Sequence, residues 1–471
     1  MRASPPLAVV IRAGLAALGA LIATGCSLGP RYHKPDLPAP DHWVTTSDPA
    51  SPEWPTAEWW RAFNSPDLDA LIVQAQAAND DLRVAIARVS EADAERRIAA
   101  APLWPALSVG AQATRARAQV PTGGYATGDN FNPFLTASYQ LDFFGKSRAQ
   151  LAAASANAAA SRYARTTVEL TVMAGVATSY FQALELRDRL AIADTNLANA
   201  SQVLRGLKLE ENAGIATALD VAQQETVVAS VNASIPPLKQ QLRQSLDALA
   251  VLIGSTPESV DVTSGGLDAI RQPPVRPGLP SELLTRRPDV AAAEQQLIAA
   301  NANIAAARAA FFPTISLTAD GGYENPALAA LLMPASRVWS IGAGLTQPIF
   351  QGGALSGGYS LAEAQYQELL ADYHKAVLAA LANVEDALVA VQQTAAQVSR
   401  QRQAAEQARR AYRFAQMQMR AGTINVLTLL NTETTLFTAE DALAQAKYAH
   451  LQSLVSLYQA LGGGWQERAP V

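Results

Sequence analysis

Little in these 471 residues is suited to chemistry: there is one cysteine, there are four histidines, and charged side chains make up only 16%. A lone Cys26 excludes an internal disulfide. His33, His42, His374 and His450 stand apart without metal-ligand spacing and read as solvated or structural. The chain holds no GxxxxGK[ST] phosphate loop, no GxSxG elbow and no HExxH pair, so no catalytic constellation presents itself and an enzyme is not expected. No cofactor is expected beyond a covalent lipid on Cys26. A net charge of −5 without a basic run gives no footprint for nucleic acid. After Cys26 no stretch offers roughly 18 uninterrupted apolar residues, which excludes a convincing membrane helix. If the mature chain crosses a bilayer, it does so with strands closed into a barrel. The charge deficit against a typical ~25%, with 49% hydrophobic residues, fits a protein that hides surface in an assembly or a membrane.

The first 25 residues combine Arg2 and Arg12, an apolar stretch from Ala13 to Ala23, and the small pair Thr24 and Gly25. This is the layout of a secretory signal peptide over 1–25. It ends on Cys26, in a context similar to a lipobox, with Ala23 where a branched residue is usual and Ser27 following as in outer-membrane sorting. Acylation of Cys26 would anchor an arm over 26–66. One lipid chain holds only marginally, so a second membrane attachment is expected.

A repeat organises the rest. AGIATALDVAQQET begins at Ala213 and AGTINVLTLLNTET at Ala421; LWPALSVGA begins at Leu103 and FFPTISLTA at Phe311. Both pairs, and the helix ends at Gly254 and Gly462, are 208 residues apart. The expected layout is a first repeat over 67–254, a linker over 255–280, a second repeat over 281–462 and a tail over 463–471. Each copy reads as a helix, a strand pair and two further helices. Residues 67–101 and 281–310 carry helical spacing up to Pro105 and Pro313. Strict alternation follows. In 107–113 and 135–143 the odd positions Leu107, Val109, Leu135, Tyr139, Leu141 and Phe143 are apolar and the even ones polar; Ile315, Leu317, Ala319, Trp339, Ile341 and Leu345 repeat the pattern. Loops over 116–130 and 324–337 join the strands. Trp104, Phe143, Phe144, Phe311, Phe312, Trp339 and Phe350 lie near the strand ends, where an interfacial girdle belongs. A half-buried hairpin over a soluble core would alternate too, but the girdle and the long loops favour a barrel with lipid outside and water inside.

Four strands cannot close a barrel. Two chains would give an eight-stranded barrel filled by side chains, whereas three give twelve strands and a passage. The stretches 146–212 and 354–421 lack proline and are rich in Ala, Leu, Gln and Glu, which at ~1.5 Å per residue predicts helices of ~100 Å. They reverse at Ala213-Gly214 and Ala421-Gly422, and Pro236-Pro237 should bend the first returning helix. The fold class is therefore mainly α with a β-barrel part.

Several stretches resemble the outer membrane factor family, and within it the NodT-type lipoproteins of resistance-nodulation-division efflux systems: CSLGPRYHKPDLPAP, EWWRAFNSPDLDALI, LLTRRPDVAAAEQQLIAANANIAAARAAFFPTISL and LTLLNTETTLFTAEDAL followed by SLYQALGGGW. The resemblance covers essentially the whole mature chain. It implies a homotrimer whose twelve-stranded outer-membrane barrel continues into a long periplasmic α-helical barrel. Its function would be a passive exit duct for small molecules, lipid-anchored in the bacterial outer membrane and working with a periplasmic adaptor and an inner-membrane transporter. A type I protein secretion duct is the alternative, and a periplasmic helical scaffold a third. The resemblance implies tip and adaptor contacts at Gly214, Asp220, Gly422 and Thr423. Relatives carry acids just beyond the second turn, where this chain has Ile424 and Asn431 with Thr428 between them. An apolar, narrow gate of Leu427, Thr428 and Asn431 is expected instead. Arg286, Arg287 and Asp289 read as helix capping and pairing rather than a charged site.

Overall fold

Asn79 interrupts what hydrophobic spacing alone marks as one helix over 67–101. Its side-chain oxygen accepts the backbone N–H of Leu82, the capping bond that starts a new helix, and its amide donates to the carbonyl of Leu252 at 2.8 Å. The stretch is therefore two helices, α1 (Pro66–Ala78) and α2 (Asp80–Ala100). The reading of 281–310 is corrected in the same way: a single turn, α5 (Pro280–Leu283), precedes α6 (Pro288–Ala309). The remaining elements are β1 (Ala106–Gln119), β2 (Tyr125–Leu141), α3 (Lys146–Asn212), α4 (Ala218–Leu252), β3 (Thr314–Tyr323), β4 (Arg337–Thr346), α7 (Ala354–Arg420) and α8 (Val426–Ala460). This computed structural model describes residues 29–36, 40, 42–44, 54–119, 123–262, 265–274 and 280–465. The signal peptide, Cys26 and most of the tail lie outside them.

The bounds of α3 and α7 differ by 208 residues at both ends, as do those of α4 and α8. Individual contacts repeat at the same offset. Asn79 binds the carbonyl of Leu252, and Arg287, 208 residues later, donates to the carbonyl of Ala460 at 3.0 Å. Gly254 (φ +65) lies against the carbonyl of Ala78, and Gly462 (φ +82) against that of Arg286. At 8% exposure, Arg287 also makes a bidentate pair with Asp289 and reaches the carbonyl of Ala380, which confirms the structural reading of RRPD.

By contact the chain divides into two units. One, Met1–Asp36, Arg88–Arg162 and Ala292–His374, holds a four-stranded antiparallel sheet in the order β1-β2-β3-β4. Here the loop expected over 116–130 is corrected: β1 and β2 pair continuously from Ala106↔Ser138 to Gln119↔Tyr125, leaving only 120–124 between them. Arg115 opposite Asp129 (3.7 Å) and Arg117 over the Tyr125 ring support an extension that lacks an apolar signal. At its other end β2 stops at Leu141, short of Phe143, because the Asp142 carboxylate accepts the backbone N–H groups of Ser147 and Arg148 and starts α3.

The other unit, Leu37–Ala87, Tyr163–Ala291 and Lys375–Val471, is helical. Its core gathers the WWRAF turn: Trp59 stacks on Tyr458 at 5.2 Å, and Phe63 lies 5.1 Å from Phe181. Ser65 caps α1 through the N–H of Leu68 and shares a 2.9 Å hydrogen bond with the Tyr180 hydroxyl. Helix α4 runs through Pro236 and Pro237, both exposed, between buried Ile235 and Leu238.

A Cβ at residue 462 would fall 1.9 Å from the Arg286 oxygen, and one at 254 would fall 2.3 Å from that of Ala78, whereas nothing lies within 4 Å of one at 214. All three glycines have positive φ. Gly214→Ala should therefore cost only the left-handed backbone term, about 1 kcal/mol, while Gly254→Ala and Gly462→Ala should cost clearly more, read as larger drops in denaturant midpoint.

Candidate functional site

The register sorts the sheet into two faces. Across all four strands the odd positions align as Val109↔Leu135, Leu135↔Gly321, Tyr139↔Leu317, Ile315↔Leu345 and Ala319↔Ile341. The even positions align as Ser108↔Thr136, Gln112↔Asn132, Ser138↔Thr318 and Asp320↔Ser340. Over 107–113, 131–141, 315–321 and 339–345 one face thus carries no charged side chain and is mainly hydrocarbon, with Ile341 78% exposed in the single chain, and the other carries mostly short polar side chains. Trp339 lies near the start of β4, while Trp104, Phe311 and Phe350 lie off the other strand ends; Phe144 stacks on Phe312 at 4.9 Å there. Two aromatic levels about ten residues apart, on strands tilted ~40°, bound an apolar band of roughly 25 Å. On the polar face the Phe134 ring covers Gly110, where any Cβ would collide with it, while a Cβ at Gly322 would collide with the β2 backbone at Pro133 and Phe134.

Each helix reversal is built from its own caps. Gly214 (φ +74) ends α3, with Ile215 N–H donating to the Glu210 carbonyl; Gly422 (φ +68) ends α7, with Thr423 donating from both its N–H and hydroxyl to the Gln418 carbonyl. Thr217 and Asp220 then form a capping box that opens α4, and Asn425 opens α8 by accepting the N–H of Thr428. The carboxylate of Asp220 is held below its usual range by these Thr217 hydrogen bonds. Of the sequence candidates, Leu427, Thr428 and Asn431 fall on one exposed stripe of α8 at helical spacing. The opposite stripe, Val426, Leu429 and Leu430, is buried, and Ile424 packs beside Leu429 instead of joining the exposed side.

An acid that sequence reasoning did not single out lies inside that buried stripe. Glu433 is 2% exposed and faces Gln224 of α4, itself fully buried, whose amide donates to the Ala200 carbonyl at 2.8 Å and lies 3.5 Å from the Glu433 carboxylate. The remaining oxygens of Gln224 and Glu433 have no partner. Burial pushes the Glu433 carboxyl up, opposed by the Gln224 hydrogen bond, and pushes the nearby Tyr412 phenol up to about 12. The signal was there in the sequence: an acid at 433 interrupts the apolar series 426, 429, 430 and 436. A second cross-repeat tie joins Arg189 of α3 to Asp441 of α8 at 2.6 Å and to Glu185 at 3.2 Å.

A lipid-facing sheet with unpaired edges and paired helical hairpins with capped tips together fit one family. The family described as outer membrane efflux protein matches the chain twice, over residues 71–255 and 279–463. The chain belongs to the outer membrane efflux protein family. Among similar proteins, the pyoverdine export outer membrane protein OpmQ of Pseudomonas aeruginosa is 41% identical over 95% of both chains. The cation efflux system protein CusC of Escherichia coli is 32% identical over 94% of this chain and 98% of its own. Of solved structures, the outer-membrane channel OprN superposes with TM-score 0.88 at 31% identity, covering 94% of this chain and all of that one. The open-state MtrE channel of Neisseria gonorrhoeae gives 0.85 at 29% identity, covering 94% and 99%. This efflux protein has the fold of those channels and is the outer-membrane exit duct of a tripartite efflux pump.

Raised by burial, the Glu433 carboxyl holds its proton above the ordinary value of 4.5. The stability that this protonation contributes is present in full below pH 4.5 and is lost as pH climbs through the folded-state value. Glu433→Gln, which cannot ionise, should flatten the fall in thermal midpoint from pH 4.5 towards neutrality, whereas parallel profiles for the two proteins would contradict the burial argument.

Proposed function

We propose that three copies of this chain close a twelve-stranded barrel through their β1 and β4 edges, and that the trimer is a passive small-molecule duct anchored by lipid on Cys26. The observation that carries this is the apolar sheet face bounded by β1 and β4, each with one unpaired edge. β1 and β4 run in opposite directions, so copies join edge to edge with antiparallel pairing throughout. A periplasmic adaptor would meet the tips at Gly214, Asp220, Gly422 and Thr423, and an inner-membrane resistance-nodulation-division transporter would supply the energy. Leu427, Thr428 and Asn431 would narrow the tip. The duct itself catalyses nothing. Small molecules are favoured over secreted proteins because the similar proteins are named for pyoverdine, cation, toluene and antibiotic efflux.

The lipid anchor is supported by the arm just after Cys26. Gly29 lies against Ala305, the Pro30 carbonyl accepts from Asn301, and Tyr32 and Lys34 both bind Glu294, so the arm runs antiparallel to α6 and, followed back towards its start, approaches β3. Three residues extend at most about 10 Å, and Ala305 to Phe311 is about 9 Å of helix. Cys26 can thus reach the level of the aromatic belt.

Detergent-extracted protein should weigh three chains by mass photometry, and one or two chains would refute the trimer. An alkyne fatty acid fed to cells should label the parent but not Cys26→Ser. Replacing Leu427 and Asn431 with alanine should raise single-channel conductance, and unchanged conductance would remove both from the gate.

A further inference from the structure

Six charged residues lie among the described residues of the four strands and of the two loops that join β1 to β2 and β3 to β4: Arg115, Arg117, Asp129, Asp320, Glu324 and Arg337. The register places them unevenly. Arg115, Arg117, Asp129 and Arg337 occupy odd positions on the outer side, where Arg115 pairs with Asp129 and Arg117 lies over Tyr125. Asp320 occupies the polar side. The isolated bridge Phe131↔Asn325 continues the β2–β3 register past the end of β3, which puts Glu324 opposite Asn132 on that same polar side. Every described base of the sheet thus faces out, and both unpaired acids face in.

Asp320 is fixed from both neighbouring strands by the residues directly opposite it. Thr136 donates to one carboxylate oxygen at 2.6 Å and Ser340 to the other at 3.2 Å. Glu324 accepts from the amide of Asn130 at 3.0 Å. No ammonium or guanidinium pairs with either among the described ion pairs. Along the strand the two carboxylates stand about 13 Å apart, at ~3.3 Å per residue, with Glu324 just past the end of β3 remote from the helices and Asp320 four residues further in.

We propose that Asp320 and Glu324 are the specificity-determining charges of the exit barrel, favouring cationic solutes and slowing anionic ones on their way through. This rests on the trimeric reading, in which six carboxylates share one lumen without a basic residue from the strands. A water-filled passage with low-dielectric walls and one sign of charge focuses the field and changes local ion concentrations roughly tenfold or more. The selectivity of this channel is then set in the barrel, since the tip stripe of Leu427, Thr428 and Asn431 carries no charge.

The test uses the full lipidated chain, whose acylated Cys26 leaves no free thiol. Thr318→Cys puts a reporter on the polar face, deeper than both acids as seen from the mouth; Leu317→Cys puts one on the apolar face. Cells are treated from outside with a cationic or an anionic methanethiosulfonate, each rate being divided by that of the same reagent with free cysteine. Residue 318 should react with a cation-to-anion ratio of about ten or more. The ratio should fall towards one when Glu324→Gln and Asp320→Asn are added, and also in 1 M salt, where the Debye length is about 3 Å. Residue 317 should stay unreactive. If 318 reacts and 317 does not but the ratio is near one, or survives both substitutions, the charge assignment is overturned while the barrel stands. If 317 and 318 react alike, the barrel reading itself fails and takes the proposal with it. Glu324→Gln alone, beyond the strand end, covers the case in which Asp320→Asn impairs assembly, and should lower the ratio by itself.

Discussion

The unpaired edges of β1 and β4 are the constraint on which the rest depends. Each carries a row of backbone donors and acceptors on a sheet whose outer face is hydrocarbon, and in lipid an unsatisfied amide costs several kcal/mol. A single sheet of this kind is therefore unstable in a bilayer and prone to aggregation in water. Since each strand is antiparallel to the next, β1 and β4 run in opposite directions, and a copy placed at either edge continues the same ladder without a parallel joint. Closure by identical chains, as proposed above, would pair both edges and leave none exposed.

Duplication supplies the scaffold, and the way it has diverged is informative. The carbonyls of Leu252 and Ala460 both need a donor where their helices end. The first copy serves its carbonyl with the neutral amide of Asn79, the second with the guanidinium of Arg287. A buried cation requires a counter-charge, and Asp289 provides it within the same turn. The related residue in the first copy, Asp81, faces solvent, where it suits the helix start without a partner. The backbone geometry was kept while the chemistry changed, which is why Gly254 and Gly462 meet equivalent carbonyls although Ala78 and Arg286 have nothing else in common.

Periodicity revealed most of the frame: the alternation at 107–113, 315–319 and 339–345 fell on one face, and proline-free stretches became α3 and α7 to within a residue. Signals carried by one side chain were harder to read. Asn79 caps the helix that follows it, and its amide is held by a carbonyl 173 residues away. The strand extension to Gln119 rests on a cross-strand ion pair and a cation over a ring instead of an apolar face, so Arg117 and Asp129 looked like loop. At the tip, caps and buried stripe follow from local rules, but the Gln224–Glu433 contact joins two repeats and has no counterpart in spacing along either one.

The wall chemistry also argues for where discrimination is made. A conducting passage must bind its solutes weakly enough to release them. The polar face consists largely of hydroxyls, amides and glycines, Ser108, Ser138, Ser316, Thr318, Gly342 and Gly344 among them, and its one large aromatic, Phe134, lies over Gly110 of the adjacent strand. The hollow on this face beside Gln112, Asn132, Phe134 and Asp320 is wide open, and short hydroxyls at strand spacing hold no solute in a fixed orientation. Such a surface can sort by charge and by girth but not by structure. Recognition of a particular molecule therefore belongs to components upstream of this duct, and the fixed carboxylates are the feature by which the wall can act on what passes.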